Sequence, residues 1–348
     1  MSSGCLVSAK ELLREGVPRG LRCRGLTLSR LASDLGMTLR GADGEAAHFS
    51  PLSRLTELDE GIAITYLGSS KFADALKSGS NVAVVTRADL LGHLKEGNIA
   101  LVVDSDPHDC FYTALASAVE GGFYERLERF VSTSAEVHSS AVIGENVHIS
   151  EGARIGPNAV VLDNTYIGPD VVIKPNATVG GDGFENAVIR GRRSIVPHAG
   201  GVWLSEGVQV GSSTCVDRGL FGDFSYAGPR TTIDNLVHFA HSVRTGKNCS
   251  LVACSEISGS VVLGDGVWLG PNVSVNQSLT IGDYCYVGTA AVVTRDLPPH
   301  SLAYGSPAKV AAQVCVCRAK LEFESGAAAC GLCGRKYNLD GLGQVRSV

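Results

Sequence analysis

An apolar side chain returns at almost every sixth residue between Val137 and Val293. An α-helix repeats its apolar side chains every three or four residues, and a single half-buried strand repeats them every two. A period of six instead predicts a short strand followed by a corner, with three such units completing one coil of a parallel β-helix. The predicted fold class is therefore mainly β. The first unbroken series comprises Val137, Ile143, Ile149, Ile155, Val161, Ile167, Ile173 and Val179.

The period has two interruptions. It stops after Val179 and resumes at Leu204, then stops after Val216, resumes at Ala227 and continues to Val293. A regular coil needs no loop, and binding and catalytic residues concentrate on segments that leave a rigid scaffold. We therefore expect functional residues in and beside the two interruptions.

Composition and charge limit the classes of function. The net charge is −5 and no basic stripe is present, so we expect no nucleic-acid partner. No run of eighteen apolar residues predicts a membrane span, and the segment 1–5 does not begin a signal peptide. Eleven cysteines without an export signal indicate a reducing, cytoplasmic compartment, where cysteines serve as thiols or metal ligands rather than as disulfides.

The period also divides the chain into three predicted domains. Residues 1–131 form a small α/β domain, residues 132–299 form the β-helix, and residues 300–348 form a cysteine-rich C-terminal tail. The elements predicted for the first domain are helices over 7–15, 28–36 and 109–118, a helical stretch around 73–76, and strands over 62–66, 82–85 and 99–103; the second helix is expected to end in a glycine cap at Gly36.

Several segments carry a family resemblance. Residues 180–184, 208–219 and 233–243 in the β-helix, and residues 26–32, 55–61 and 66–72 before it, resemble the UDP-3-O-acylglucosamine N-acyltransferases of lipid A biosynthesis. The resemblance covers roughly residues 26–295. It implies a left-handed β-helix, a uridine-binding front domain, and a homotrimer with active sites between subunits.

The implied reaction moves an acyl group from a thioester, carried by an acyl carrier protein or coenzyme A, to the amine of a nucleotide-linked amino sugar. A histidine suits removal of the amine proton near neutral pH. The resemblance makes His241 this base and Asp234 its partner carboxylate. Gly259 follows His241 by one coil of eighteen residues, and its backbone N–H is expected to meet the thioester oxyanion. No cofactor is expected for catalysis.

The residues expected to bind the acceptor are less regular. In the family two aromatic rings sandwich the uracil, and Tyr66 and Phe72 stand at those places, although ordinary core packing is an alternative for both. Ser69 stands where the family has an asparagine, and Ser278 stands where it has a further histidine. The remaining residues assigned to substrate binding are Asp217, Arg218, Asn235 and His238, although a structural or peripheral role is the alternative for His238. We interpret His198 as part of a surface turn, the alternative being that its segment helps to shape the sugar or acyl pocket.

The tail departs from the family. The segment 301–309 resembles acetyltransferases that use acetyl-coenzyme A. Cys315, Cys317, Cys330 and Cys333 then form two closely spaced pairs of the kind that bind structural zinc, the alternative being free thiols.

Two other functions stay open at this point. A γ-type carbonic anhydrase would need three histidines converging on zinc, and His238 and His241 are near each other in sequence. A non-catalytic solenoid scaffold would need no active site, and fold alone does not exclude it.

Overall fold

The computed structural model describes residues 5–14, 16–52, 55, 61–76, 78–79, 81–341 and 343–348. Residues 56–60, part of a segment that carries the family resemblance, lie outside the described residues, as does Glu15 at the end of the first predicted helix. The chain forms two compact units. The front unit comprises Met1–Arg126, Asp182–Gly200 and Gly219–Asp223; the coil unit comprises Leu127–Gly181, Gly201–Arg218 and Phe224–Val348.

The coil unit is a left-handed parallel β-helix, as predicted. Val137 pairs with Ile155, and Ile155 pairs with Ile173, so one regular coil takes eighteen residues. Ile167 pairs with Leu204 and Leu204 with Ala227, which shows that the coil continues across both interruptions of the period. The interrupting residues themselves, 182–200 and 219–223, belong to the front unit.

Each face of the β-helix is one parallel sheet. The first face consists of Phe130–Val131, Val147–Ile149, Thr165–Ile167, Gly201–Leu204, Phe224–Ala227, Arg244–Thr245, Val262–Leu263 and Thr280–Ile281. The second face begins with Glu136–Val137, Arg154–Ile155, Val172–Ile173, Gln209–Val210, Thr232–Ile233, Ser250–Leu251, Trp268–Leu269 and Tyr286–Val287. The third face consists of Val142–Ile143, Val160–Val161, Thr178–Gly181, Cys215–Asp217, His238–Phe239, Glu256–Ile257, Ser274–Val275 and Val292–Val293.

The side chains that the sixfold period predicts to point inward form the core of the β-helix. They are buried from Ile149 onward, including the polar Thr245. Val137, however, is 38% exposed, because Glu136–Val137 is the edge strand of its sheet. Burying this aliphatic column removes a large apolar area from water, which is the main favourable contribution to folding.

The corners of the β-helix require left-handed backbone conformations. Ser242, Ser260 and Ser278 succeed one another at the corner between the third and first faces, with φ values of 60°, 62° and 60°. Short polar residues and glycine tolerate this region better than β-branched residues do. The repeat therefore alternates aliphatic strands with corners at which small or polar residues are common, although Leu236 and Tyr284 adopt the same conformation.

The front unit contains a five-stranded sheet. Its order is Thr38–Arg40, Ile99–Val102, Val82–Thr86, Ile62–Leu67 and Ala46–Phe49; the first strand is antiparallel to its neighbour and the other pairs are parallel. Its helices are Ala9–Leu12, Leu28–Leu35 and Pro107–Glu120, with 3₁₀ turns at Ser70–Ala75 and Ala88–His93. Shorter strands are Leu6–Val7, Leu13–Arg14, Val17–Pro18, Asn186–Ile189 and Arg192–Ile195, and the strand Arg126–Leu127 begins at the last residue of the segment Met1–Arg126.

Most of the elements predicted for the front unit are confirmed, and one is wrong. The second helix ends at Gly36, whose φ of 65° is the left-handed conformation of a glycine cap. The helix predicted over 7–15 is only Ala9–Leu12, because Leu13–Arg14 turns back through Gly16 to pair with Val17–Pro18. The longest described helix has 14 residues, and none of the described helices has the length and apolar character needed to cross a bilayer.

The C-terminal tail continues the second face and then leaves it. Ser301–Tyr304 pairs in parallel with Tyr286–Val287, and Lys309–Val314 and Lys320–Leu321 add antiparallel strands. Ala327–Ala329, Lys336–Leu339 and Val345–Ser347 then form a small antiparallel sheet. We call residues 315–348 the ribbon.

Candidate active site

His241 and Gly259 lie in direct contact at the corner that follows the third face. His241 follows the strand His238–Phe239, and Gly259 stands at the equivalent place one coil later. A Cβ atom built on Gly259 would lie 2.5 Å from both Nε2 and Cε1 of the His241 imidazole. The imidazole therefore rests on the Gly259 backbone, in the place that a side chain at position 259 would occupy.

The backbone around Gly259 leaves one donor available. Ser260 donates its N–H to the carbonyl oxygen of His241 (3.0 Å), and Ser278 donates to the carbonyl of Gly259 (3.0 Å). Within the part of the chain that the structure describes, the Gly259 N–H donates to no acceptor. A backbone N–H with no acceptor beside an imidazole has the chemistry required of an oxyanion donor.

Asp234 lies at a different corner of the coil, between the second and third faces. Its carboxylate accepts hydrogen bonds from the backbone N–H groups of Asn235 (2.8 Å) and Ala253 (3.2 Å). Among the described residues, the structure thus does not bring the carboxylate of Asp234 to the imidazole of His241. Asn235 in turn accepts a hydrogen bond from the N–H of Ser212 through Oδ1 (2.7 Å).

On the third face, His238 pairs with a carboxylate. Its Nε2 lies 2.9 Å from Oδ2 of Asp217, which is 13% exposed. The hydrogen bond to Asp217, opposed by burial, raises the pKa of His238 above its usual value, and Glu256 adds a further favourable charge. His238 lies between Cys215 and Glu256 on the outer surface of the third face. The eighteen-residue spacing alone would have identified Glu256 as this neighbour.

The other predicted acceptor residues in the coil unit lie on the same side of the β-helix or at its corners. Arg218 donates its Nε hydrogen to the carbonyl of Gly180 (2.7 Å) and its backbone N–H to Gly181 (2.8 Å). This contact follows a register shift between Val179 and Gly181, where the first interruption begins. Ser278 is exposed at the corner one coil after Ser260.

The predicted nucleotide residues lie in the front unit. Tyr66 is half-buried, with its ring 5.1 Å from that of Phe111 and 5.4 Å from that of His108, and burial raises its pKa. Phe72 is 62% exposed, and the hydroxyl of Ser69 accepts a hydrogen bond from the Lys71 N–H at the start of a 3₁₀ turn. Tyr66 is thus packed on aromatic neighbours, whereas Phe72 presents its ring to solvent.

One interpretation from the sequence is wrong. His198 is not part of a surface turn but is only 3% exposed. Its Nε2 accepts a hydrogen bond from the Gly183 N–H (3.2 Å) and its Nδ1 lies 2.8 Å from the Val196 carbonyl. Accepting at one ring nitrogen and donating at the other requires the neutral imidazole, so His198 ties together both ends of the first interruption.

The four tail cysteines come together as predicted from their spacing. The sulfur atoms of Cys315, Cys317, Cys330 and Cys333 all lie within 4.8 Å of one another. The Sγ–Sγ distances are 3.4 Å between Cys315 and Cys333 and 3.5 Å between Cys317 and Cys330, and none of these four residues forms a disulfide.

Comparisons with known proteins find a matching family model and similar chains. The family model "Bacterial transferase hexapeptide (six repeats)" matches residues 146–181 and 260–295. A UDP-N-acetylglucosamine acyltransferase from Francisella novicida, a solved structure, is 24% identical with a TM-score of 0.41, covering 53% of this chain and 68% of its own.

Three curated relatives of this chain carry the same name. A UDP-3-O-acylglucosamine N-acyltransferase from a Caulobacter species is 46% identical over 114 residues, a match that spans about a third of each chain (33%). Enzymes of the same name from Campylobacter lari and Delftia acidovorans are 34% and 35% identical, covering 78% of this chain and 90% and 83% of their own lengths. The chain therefore belongs to the UDP-3-O-acylglucosamine N-acyltransferase family.

Proposed function

We propose that this protein is an N-acyltransferase that moves an acyl group from a thioester to the amine of a nucleotide-linked amino sugar, with His241 as the general base. The observation that carries the proposal is the contact between the His241 imidazole and Gly259, whose N–H has no acceptor among the described residues. A base and an oxyanion donor are thereby adjacent, as acyl transfer requires.

The proposed reaction has two steps. The amine attacks the thioester carbonyl while His241 takes one amine proton, so that a C–N bond forms and the carbonyl oxygen becomes an oxyanion beside the Gly259 N–H. The C–S bond then breaks, and the imidazolium returns the proton to the departing thiolate. The products are an amide and the free thiol of the carrier. The donor is an acyl carrier protein or coenzyme A.

The carboxylate that orients His241 comes, in this proposal, from Asp234 of a neighbouring copy in a homotrimer. Within one chain the two side chains stand at different corners, and the Asp234 carboxylate is held by backbone N–H groups. These hydrogen bonds fix the carboxylate at the surface of its corner, where it is only partly buried. A fixed, accessible anion suits a partner histidine from a second chain.

The front unit is proposed to bind the nucleotide of the acceptor. Exposed Phe72 and half-buried Tyr66 provide ring faces for stacking on a base, while the short side chain of Ser69 replaces the family asparagine that reads the base edge. In the coil unit, His238 lies three residues before His241 and pairs with Asp217, and we propose that this pair hydrogen-bonds a sugar or phosphate.

A substrate panel tests the proposed reaction. Purified protein is incubated with amino sugars linked to UDP, TDP or GDP, each with acyl carrier protein or coenzyme A donors, and products are identified by mass. One acyl addition is expected with at least one pair, lost in His241→Ala and retained in His138→Ala, a matched change at an exposed histidine. Unchanged turnover in His241→Ala refutes the mechanism, and no product with any pair favours the scaffold.

A complementation experiment tests the role of Asp234. His241→Ala and Asp234→Asn chains are each expected to be inactive alone. Co-expressed, they form mixed assemblies in which an intact His241 from one chain meets an intact Asp234 from the other, so activity is expected to return. Activity that stays absent in verified mixed assemblies contradicts the assignment between chains.

A further inference from the structure

We infer that Cys315, Cys317, Cys330 and Cys333 bind one zinc ion, and that this zinc holds the C-terminal ribbon on the last coil of the β-helix. All four sulfur atoms lie within 4.8 Å of one another. A Zn–S distance of about 2.3 Å places the sulfurs of a tetrahedral site about 3.8 Å apart. The observed pairs, at 3.4 Å and 3.5 Å, are slightly closer than this and far from the S–S bond length of about 2.05 Å in a disulfide.

The surroundings of Cys315 favour a thiolate ligand. The Tyr337 hydroxyl lies 3.0 Å from its Sγ and accepts a hydrogen bond from the Val316 N–H (3.2 Å), which leaves the hydroxyl proton to be donated to the sulfur. The N–H of Cys317 also points to this sulfur (3.5 Å). Donors of this kind support thiolates that are bound to a metal.

The ribbon has little other means of staying folded. Its buried apolar cluster consists of Leu321, Ala328, Tyr337 and Val345 together with two of the cysteines. A core this small rarely stabilises a module without a metal or a covalent crosslink. The structure assigns that role to the four thiolates, which leave no open position for substrate, so the zinc is structural and not catalytic.

The site also connects the ribbon to the coil. Cys315 directly follows Val314, which exchanges two hydrogen bonds with His300: the Val314 N–H donates to the His300 carbonyl (2.7 Å) and Nδ1 of His300 donates to the Val314 carbonyl (2.8 Å). The His300 ring packs edge-on against Tyr337, with centroids 5.2 Å apart. Zinc therefore joins the second cysteine pair to a strand end that is already fixed to the β-helix.

Metal analysis of the full-length protein tests the inference and needs no substrate, so its outcome is separate from that of the proposed reaction. Protein produced with zinc is expected to contain about one zinc per chain. Replacement by cobalt is expected to give the absorption bands of a tetrahedral thiolate site. Cys330→Ser and Cys333→Ser are expected to lose the metal, while Cys254→Ser, at an exposed cysteine outside the cluster, retains it.

A milder variant keeps the test decisive if the cysteine variants do not fold. Tyr337→Phe removes the donor to Cys315 and retains the aromatic ring, and is expected to weaken zinc affinity by about tenfold or more. Chelation of the parent protein is expected to open the ribbon to proteolysis after residue 314 and to leave the β-helix intact. A metal-free protein with a protease-resistant ribbon, or zinc content unchanged in the cysteine variants, overturns the inference.

Discussion

Replacing Gly259 by alanine should disturb the contact with His241 without disturbing the fold. The added Cβ would lie 2.5 Å from Nε2 and Cε1 of His241, whereas ordinary contact begins at 3.4 Å. The imidazole must therefore move by about 1 Å, and a misplacement of that size costs about 100-fold in rate, or about 2.7 kcal/mol in the transition state.

The backbone at position 259 accepts a side chain. Gly259 does not have the positive φ that favours glycine, and the equivalent place one coil later holds Gln277. Because the atoms in the way belong to the end of a side chain, the strain is relieved by rotation of the imidazole. Gly259→Ala is therefore expected to change the free energy of unfolding by less than about 1 kcal/mol.

The assay combines the transfer rate with thermal unfolding. Gly92→Ala, where the added Cβ meets nothing within 4 Å, is the matched control and should change neither. The double variant Gly259→Ala, His241→Ala should lose no more transfer rate than His241→Ala alone, because both changes act on the same interaction. A Gly259→Ala enzyme with the parent rate, or one that does not fold, refutes this account of the corner.

Three further outcomes are expected. Asp217 raises the pKa of His238. The pair therefore stabilises the folded state fully below the ordinary histidine pKa, and this contribution is lost as pH rises through the raised pKa of His238. Asp217→Asn should lower Tm more at about pH 5.5 than at about pH 9. Burial alone would raise the pKa of Glu125, but hydrogen bonds from Arg19, Arg22 and Arg24 lower it. Glu125→Gln should therefore reduce the free energy of unfolding by about 3 kcal/mol near neutral pH. In acid-unfolding curves, the difference in stability between parent and variant should close as pH falls through the lowered pKa of Glu125. Phe72→Ala should leave Tm nearly unchanged, since the ring is exposed, and weaken UDP binding by about 1 kcal/mol in calorimetry.

The repeat made much of the coil unit predictable. Inward side chains, corner positions and neighbours one coil apart all follow from a period fixed by local sequence, and the contact between His241 and Gly259 follows from it directly. The same spacing relates His238 to Glu256. Local signals also predicted the glycine cap at Gly36, because capping depends on a few adjacent residues.

The interruptions broke this predictability. The five residues 219–223 lengthen one coil beyond eighteen residues. The sequence separations between His238 and its neighbours Cys215 and Asp217 therefore do not follow from the repeat. His198 became buried because the chain on either side of it closes around its two ring nitrogens. Such contacts depend on where a non-repeating loop returns.

Sequence by itself determined the β-helix, the family and the corner that carries His241, because each depends on a short repeat or a local motif. Only the tertiary structure decided which carboxylate meets which histidine. It turned Asp234 toward backbone N–H groups and gave His238 the partner Asp217. The physical reason is that a side chain hydrogen-bonds to a group that the folded chain brings within about 3 Å. Outside the repeat, the separation of two residues in sequence does not determine their distance in space.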